Sequence, residues 1–181
     1  MTSQKGFTLV EMIVTISIIG ILSTLLLVNF RSTSTGDSAR RETANVVESD
    51  LRRVQSMAIA GSGVNGSPVC GFGAHQIREN AYILFARPLP SSGSCKSDSR
   101  ERVYLEGDLV IEERVFHNIK MQFLGSTFED VYFEIPNPTT FLDGSRDPSH
   151  APVGIKIVVQ GTTTPATMIS VYNSGRIEIS N

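Results

Sequence analysis

The chain of 181 residues is 40% hydrophobic and 19% charged, and its 16 basic and 18 acidic side chains leave a formal net charge of −2. That composition suits one modest globular domain and argues against intrinsic disorder, because apolar residues are plentiful and net charge is small. It also supplies no bulk positive field with which to hold a nucleic-acid backbone or an anionic bilayer surface.

These averages conceal an uneven distribution. Residues 12–30 form a run of nineteen without a charge, rich in Ile, Leu and Val. At about 1.5 Å per residue a helix of that length covers roughly 28 Å, close to the hydrocarbon thickness of a bilayer. The run therefore predicts a membrane-spanning helix. A secretory signal peptide would have an apolar core of about 7 to 15 residues with a small-residue cleavage site behind it; here Arg31 and a Ser/Thr stretch follow instead. Upstream lie Lys5 in a polar leader and Gly6, which would let a protease reach the backbone. Glu11 places a carboxylate at the edge of the run. Inserting that charge costs about 1 to 3 kcal/mol depending on depth, so it calls for a partner or for snorkelling to the headgroups.

The segment Gly6-Phe7-Thr8-Leu9-Val10-Glu11 resembles the processing site of the type IV pilin-like proteins, a short basic leader ending in Gly, then Phe-Thr-Leu, a hydrophobic residue and Glu. The resemblance implies that a membrane aspartyl prepilin peptidase cuts between Gly6 and Phe7 on the cytoplasmic side. It implies that Phe7 is then N-methylated, and that residues 1–6 are lost while the anchor stays. It also implies assembly through the helix: the Glu11 carboxylate pairs with the Phe7 ammonium of a neighbouring subunit, in a bundle whose low dielectric strengthens the pair. Many major pilins carry a helix-bending proline late in the run; residues 12–30 have none, a difference that neither supports nor excludes membership.

After Phe30 the stretch 31–37 is polar, and Gly36 costs about 1 kcal/mol relative to Ala, so the helix could break or loosen there. Val47, Leu51, Val54 and Ala58 then recur at helical spacing and define one buried face, with Arg40, Arg41, Glu48, Arg52 and Arg53 mainly off it. The helical region should run over about residues 7–60, roughly 80 Å if unbroken, and end at Gly61-Ser62-Gly63. Arg52 and Arg53 read as a solvated helix face rather than an interaction patch.

Short apolar or alternating runs follow at 81–86, 102–105, 109–116, 119–124, 131–135, 153–159, 167–172 and 176–179, separated by Gly, Pro, Asn or Asp. Asn173-Ser174-Gly175 is a hairpin signal. A long helix followed only by strands predicts an α+β fold, the N-terminal helix packed on an antiparallel β-sheet or sandwich head. The expected organisation is a leader over 1–6, a transmembrane and assembly helix over 7–30, an amphipathic helix over 31–60 and a β-rich head over 61–181. Residues 66–73 and 88–99 are Gly/Ser/Pro-rich and read as flexible loops, with Gly61, Gly63, Gly71 and Gly73 as loop glycines. Residues 136–152 hold four of the eight prolines and read as an irregular exposed loop, either a contact surface or a tolerated insertion.

Within the broader family, the helix segment ESDLRRVQSMAIA at 48–60, the strand AYILF at 81–85 and the NSGRI hairpin at 173–177 are similar to the H-type minor pseudopilins of type II secretion and the T-type minor pilins of type IV pili. This likeness rests on short apolar patterns and implies a minor subunit. Cys70 and Cys95 are the only cysteines. In a head outside the cytoplasmic membrane a disulfide between them is favoured over two free thiols, worth roughly 3 to 4 kcal/mol in the chain-entropy account. No C-x-x-C occurs, and His75, His117 and His150 are too scattered to suggest a metal.

A catalytic head would need a nucleophile, an acid/base pair or a cofactor loop. The sequence has no G-x-S-x-G, no Walker loop, no H-E-x-x-H and no G-x-G-x-x-G between strand and helix. Asn65-Gly66-Ser67 fits a glycosylation sequon but is followed by Pro68 and reads as a turn.

The expectation is thus a non-enzymatic, single-pass subunit of the inner membrane without cofactor, its head in the periplasm or at the cell surface, filament-associated after assembly. The implied partners are the prepilin peptidase, other pilin or pseudopilin subunits, an inner-membrane assembly platform with its ATPase motor, and membrane lipid. A type IV pilus and a type II secretion pseudopilus stay open. So does a DNA-uptake pilin, which the net charge does not support but a local patch of Arg100, Arg102 and Arg114 could serve. From another class stands a signal-anchored envelope protein with a ligand-binding or enzymatic head.

Overall fold

The computed structural model describes residues 8–95, 102–124, 130–135, 139–147 and 152–180; for residues 26–35 and 122–124 it describes the backbone alone. The fold is α+β. One helix, α1 (Leu9–Ile59), precedes β1 (Val69–Arg78), β2 (Ala81–Pro88), β3 (Leu109–Val115), β4 (Ile119–Leu124), β5 (Asp130–Glu134), β6 (Thr140–Leu142), β7 (Val153–Val159), β8 (Thr167–Val171) and β9 (Ile177–Ser180). By its contacts the chain divides into two compact units, Met1–Ser38 and Ala39–Asn181. Helix α1 is assigned through Gly36, where the sequence left a break open.

Within the second unit the helix buries Ala44, Val47, Leu51, Val54 and Ala58, the four-and-three spacing legible in the sequence with Ala44 added. Its end is a Schellman motif. Gly61 takes the left-handed conformation at φ 61°, its N–H donates to the Ala58 carbonyl at 3.1 Å, and Ser62 N–H donates to Met57 at 3.2 Å. Asn65 and Gly66, at φ 51° and 78°, then form a two-residue turn closed by reciprocal backbone bonds between Val64 and Ser67.

The strands form two antiparallel sheets, one in the order β3-β2-β1-β5-β6 and the other in the order β4-β7-β8-β9. β8, and β7 from Val153 to Ile157, alternate buried and half-buried residues, as strands with one dry face should. Their buried side, with Ile155, Ile157 and Ile169, shares one core with the helix stripe and with Phe72, Leu84 and Phe133 of the first sheet.

β1, β2 and β5 behave differently, being buried on both faces over most of their length. The face away from the helix carries a second apolar cluster, Phe85, Tyr132 and Phe141, with Tyr104 packed on it. The β2–β3 connection is anchored over this face. Cys95 is bonded to Cys70 of β1, with 5.5 Å between Cα atoms. Arg87 grips Asp108 with two bonds of 2.7 Å. Arg102 pairs with Glu134. Tyr104 stacks on His75 at 4.8 Å and meets Phe85 edge-on at 5.3 Å. Asp130 Oδ1 accepts the Tyr104 N–H at 2.9 Å and lies 3.1 Å from His75 Nδ1.

Three sequence expectations are corrected. Residues 66–73 do not form a flexible loop: from Val69 they enter β1, the central strand of the larger sheet. Gly71 and Gly73 belong to that strand because aromatic rings lie across them. A Cβ on Gly73 would come within 2.6 Å of the Phe85 ring and 2.7 Å of the Val131 carbonyl; one on Gly71 would strike the Tyr132 hydroxyl and the Phe133 carbonyl. Residues 102–105 form no strand; they are held over the sheet as described. Part of the 136–152 loop is the short strand β6, which closes the sheet against β5, while 136–138 and 148–151 lie outside the described residues.

A buried polar clamp joins helix to sheet inside the second unit. Asp50 accepts the Tyr82 hydroxyl at 2.7 Å and Arg114 Nε at 3.0 Å, and Arg114 reaches Glu112 at 2.9 Å. Glu112 in turn holds Arg53 at 2.8 Å. Burial, then the bond to Asp50, pushes the Tyr82 phenol well above its ordinary value. The bond to Asp50 raises Arg114 further.

Candidate functional site

The first unit holds the candidate site. Thr8 and Glu11 stand three apart at the start of α1 and form a capping box. The Thr8 N–H and hydroxyl both donate to Glu11 Oε2, at 3.2 and 3.1 Å, and Glu11 N–H donates back to Thr8 Oγ1 at 3.3 Å. The carboxylate is thereby turned toward the N-terminal end of the helix, where the dipole also favours negative charge. The T-x-x-E spacing over 8–11 is the sequence signal for this cap, separate from the motif that pointed to Glu11.

Beyond Glu11 the helix is apolar all round. Leu9, Val10, Met12, Ile13, Val14, Ile16, Ile18, Ile19, Ile21, Leu22 and Leu25 are each 50–76% exposed, and at about 100° per residue they cover every side of the cylinder. Surface helices of soluble domains keep a polar face; a helix without one belongs in lipid or in a bundle of like helices. Three hydroxyls within the run, those of Thr15, Ser17 and Thr24, turn inward on the backbone. Thr15 donates to the Glu11 carbonyl at 2.9 Å, Ser17 to Ile13 at 2.8 Å and Thr24 to Ile21 at 2.8 Å. Each donor is satisfied by its own helix, as an apolar solvent requires. Among the described residues no helix is long and apolar enough to cross a membrane; the described side chains of the run end at Leu25, ahead of its sequence end at Phe30.

Gly6 and Phe7 lie outside the described residues. Of the three arginines considered for nucleic acid, Arg100 also lies outside them, Arg102 is buried against Glu134 and under the Phe141 ring, and Arg114 is paired with Asp50 and Glu112. Those two are engaged by carboxylates of their own chain. His75 faces Asp130, and His150 lies outside the described residues. Among the described residues no group of three or more His, Cys, Asp or Glu side chains could hold a metal. Cys70, Cys95, Arg87, Arg102, Tyr132, Glu134 and Pro90 line a small cavity under the anchored connection. There burial pushes the Tyr132 phenol above its ordinary value, with Arg87 and Arg102 pulling it back.

Residues 1–27 match the family model described as the prokaryotic N-terminal methylation motif. The chain carries the N-terminal motif of pilin-like proteins. Among solved structures it is similar to two crystal forms of the type IV minor pilin FimU of Pseudomonas aeruginosa, at 13% identity in each. The TM-scores are 0.47 and 0.48, covering 80% and 84% of this chain and 92% of that one. No curated protein matches the chain.

Proposed function

We propose that this chain is a non-enzymatic minor subunit of a type IV pilus or a type II secretion pseudopilus, held in the inner membrane by α1 and polymerised through it. In this reading a prepilin peptidase cuts between Gly6 and Phe7, Phe7 is N-methylated, and Glu11 receives the Phe7 ammonium of an adjacent subunit. The observation that carries it is the motif at 1–27 joined to a helix that exposes apolar side chains on every side and bonds the hydroxyls of Thr15, Ser17 and Thr24 to its own backbone. Such a surface is stable in lipid and equally stable against other helices of the same kind, so the subunit can leave one for the other. The capping box keeps the carboxylate hydrogen-bonded in either setting. A neighbour's ammonium then adds the opposite charge where the dielectric is low, the condition under which an ion pair is strong.

The test is mass spectrometry of the N-terminal peptide from the native envelope, joined to the Glu11→Ala variant. A chain beginning at methylated Phe7, with Glu11→Ala inserted in the membrane but lost from filaments, is the expected result. An intact leader would overturn it and return the chain to the anchored envelope proteins; normal incorporation of Glu11→Ala into filaments would overturn the role given to Glu11.

A further inference from the structure

Among the described residues the two sheets present four edge strands, and three are closed or short. β6 has three residues, all buried. β4 is capped at its middle, where Met121 N–H donates to the Glu79 carbonyl and Met121 C=O accepts Gln76 Nε2 at 3.2 Å. β9 has four residues, and its Ile177 carbonyl accepts Arg52 at 3.2 Å. The fourth edge, β3, is different: seven residues, LVIEERV, without Pro, Gly or Lys. Among the described residues its backbone between Val110 and Val115 bonds only to β2. Val110 is 52% exposed and Val115 46%. Its charges and its bulge are devices that blunt an edge, but among the described residues neither covers the backbone of the Glu112–Val115 end.

The ladder shows which groups point outward. Phe116 N–H donates to the Asn80 carbonyl at 2.9 Å, which makes that pair hydrogen-bonded. In an antiparallel ladder bonded and non-bonded pairs alternate, so in the register Ala81↔Val115, Tyr82↔Arg114, Ile83↔Glu113 the amides and carbonyls of Glu113 and Val115 face away from β2. The bulge opposite Leu84 and Phe85 limits this regular stretch to the Glu112–Val115 end. The charges along it are already met within the chain, Glu113 by Arg78 and Glu112 by Arg53 and Arg114. What remains unmatched is a row of backbone groups flanked by the β-branched side chains of Val110 and Val115.

We infer that β3 is a docking edge that accepts an extended strand from the head of another pilin-like subunit, added to the sheet through Glu113 and Val115 with apolar side chains against Val110 and Val115. The inference rests on the filament-subunit reading, which supplies a neighbouring head at high local concentration. Strand addition takes its affinity from main-chain bonds and its selectivity from alternate side chains, which is the chemistry this edge displays.

The experiment places a photo-crosslinking residue in place of Val115 in the full chain, expressed in its native envelope, with the same residue in place of the exposed helix residue Ser56 as the reference. Incorporation into filaments is measured in the same cells. Crosslinked peptides should map to a strand of another pilin-like subunit, persist in Glu113→Ala, and fall about tenfold in Glu113→Pro, which removes an outward amide. Val110→Lys, at an exposed position, should give the same loss without touching the ladder. Yields no higher than from position 56, yields unchanged in both Glu113→Pro and Val110→Lys, or products mapping to a helix or to lipid would overturn the inference. If the chain enters filaments without a β3 crosslink, the edge inference alone fails; if it enters none, the filament reading fails and the proposed partner with it.

Discussion

Replacing Asp50 with Ala should cost the second unit about 2 to 4 kcal/mol, and the reasoning can be broken by a double-mutant cycle. Asp50 is 5% exposed and Tyr82 3%, so neither can turn to water. Removing the carboxylate leaves the Tyr82 hydroxyl, which it accepts at 2.7 Å, without that partner, a loss of about 1 to 3 kcal/mol. Arg114 loses a charged bond at 3.0 Å, but its side chain is 37% exposed and keeps Glu112, so screening limits its share to about 1 kcal/mol. Tyr82→Phe alone should cost about 1 to 2 kcal/mol, since Asp50 still holds Arg114. In the double variant no orphaned hydroxyl is left, so its cost should fall short of the sum by about 1 to 2 kcal/mol. The chain has no Trp, so unfolding of the detergent-solubilised protein in urea is followed by near-ultraviolet circular dichroism of its tyrosines. Additivity within about 0.5 kcal/mol would refute the clamp as described.

Two further predictions concern the face away from the helix and alkaline pH. Gly73→Ala should destabilise by about 1 to 3 kcal/mol through overpacking, and Phe85→Leu in the same chain should recover part of the loss because it removes the ring the new methyl meets; denaturation midpoints decide this. Tyr82 and Tyr132 both ionise above the ordinary phenol value of about 10. Their contribution to stability is therefore complete below pH 10 and is lost as the pH rises beyond it, by up to about 1.4 kcal/mol per pH unit for each phenol. Tyrosinate absorbance of the folded chain should lag that of the urea-unfolded chain, and Tyr82→Phe or Tyr132→Phe should flatten the fall; superimposable titrations would contradict the burial argument.

Which parts of this molecule could be read from its sequence follows from the range of the interactions that fix them. The N-terminal helix is specified locally. Its apolar run, its T-x-x-E start and its Gly61 stop each need only residues within one or two turns, and the buried stripe Val47, Leu51, Val54 and Ala58 needs only the helical period. β7, β8 and β9 were legible for a similar reason, since a sheet with one dry face writes its alternation into the chain. β1 was not. Its VCGFGA stretch carries two glycines that count as breakers in any local scale. They are required by Phe85 and Tyr132, which stand opposite Gly73 on β2 and β5. The information that turns those glycines into strand residues lies on two other strands, at Phe85 in the next strand and at Tyr132 much further along, and a scale applied to the residues beside Gly73 does not contain it.

The same argument separates the residues named for function. Phe7 and Glu11 were named from a motif that lies within six consecutive residues, 6–11, and needs nothing further along the chain. Arg102 and Arg114 stayed open in the sequence as members of a cationic patch because their carboxylates, Glu134 and Asp50, are distant in sequence and the pairing appears only after folding. A count of arginines overstates the charge a folded surface can offer a polyanion, by the number that the fold has already paired. In the strand-rich unit the groups proposed above for a partner, among the described residues, are the outward backbone of β3 and its two exposed valines. Specificity between neighbouring heads would then depend on strand register and apolar fit, two properties that survive changes in ionic strength far better than exposed ion pairs do.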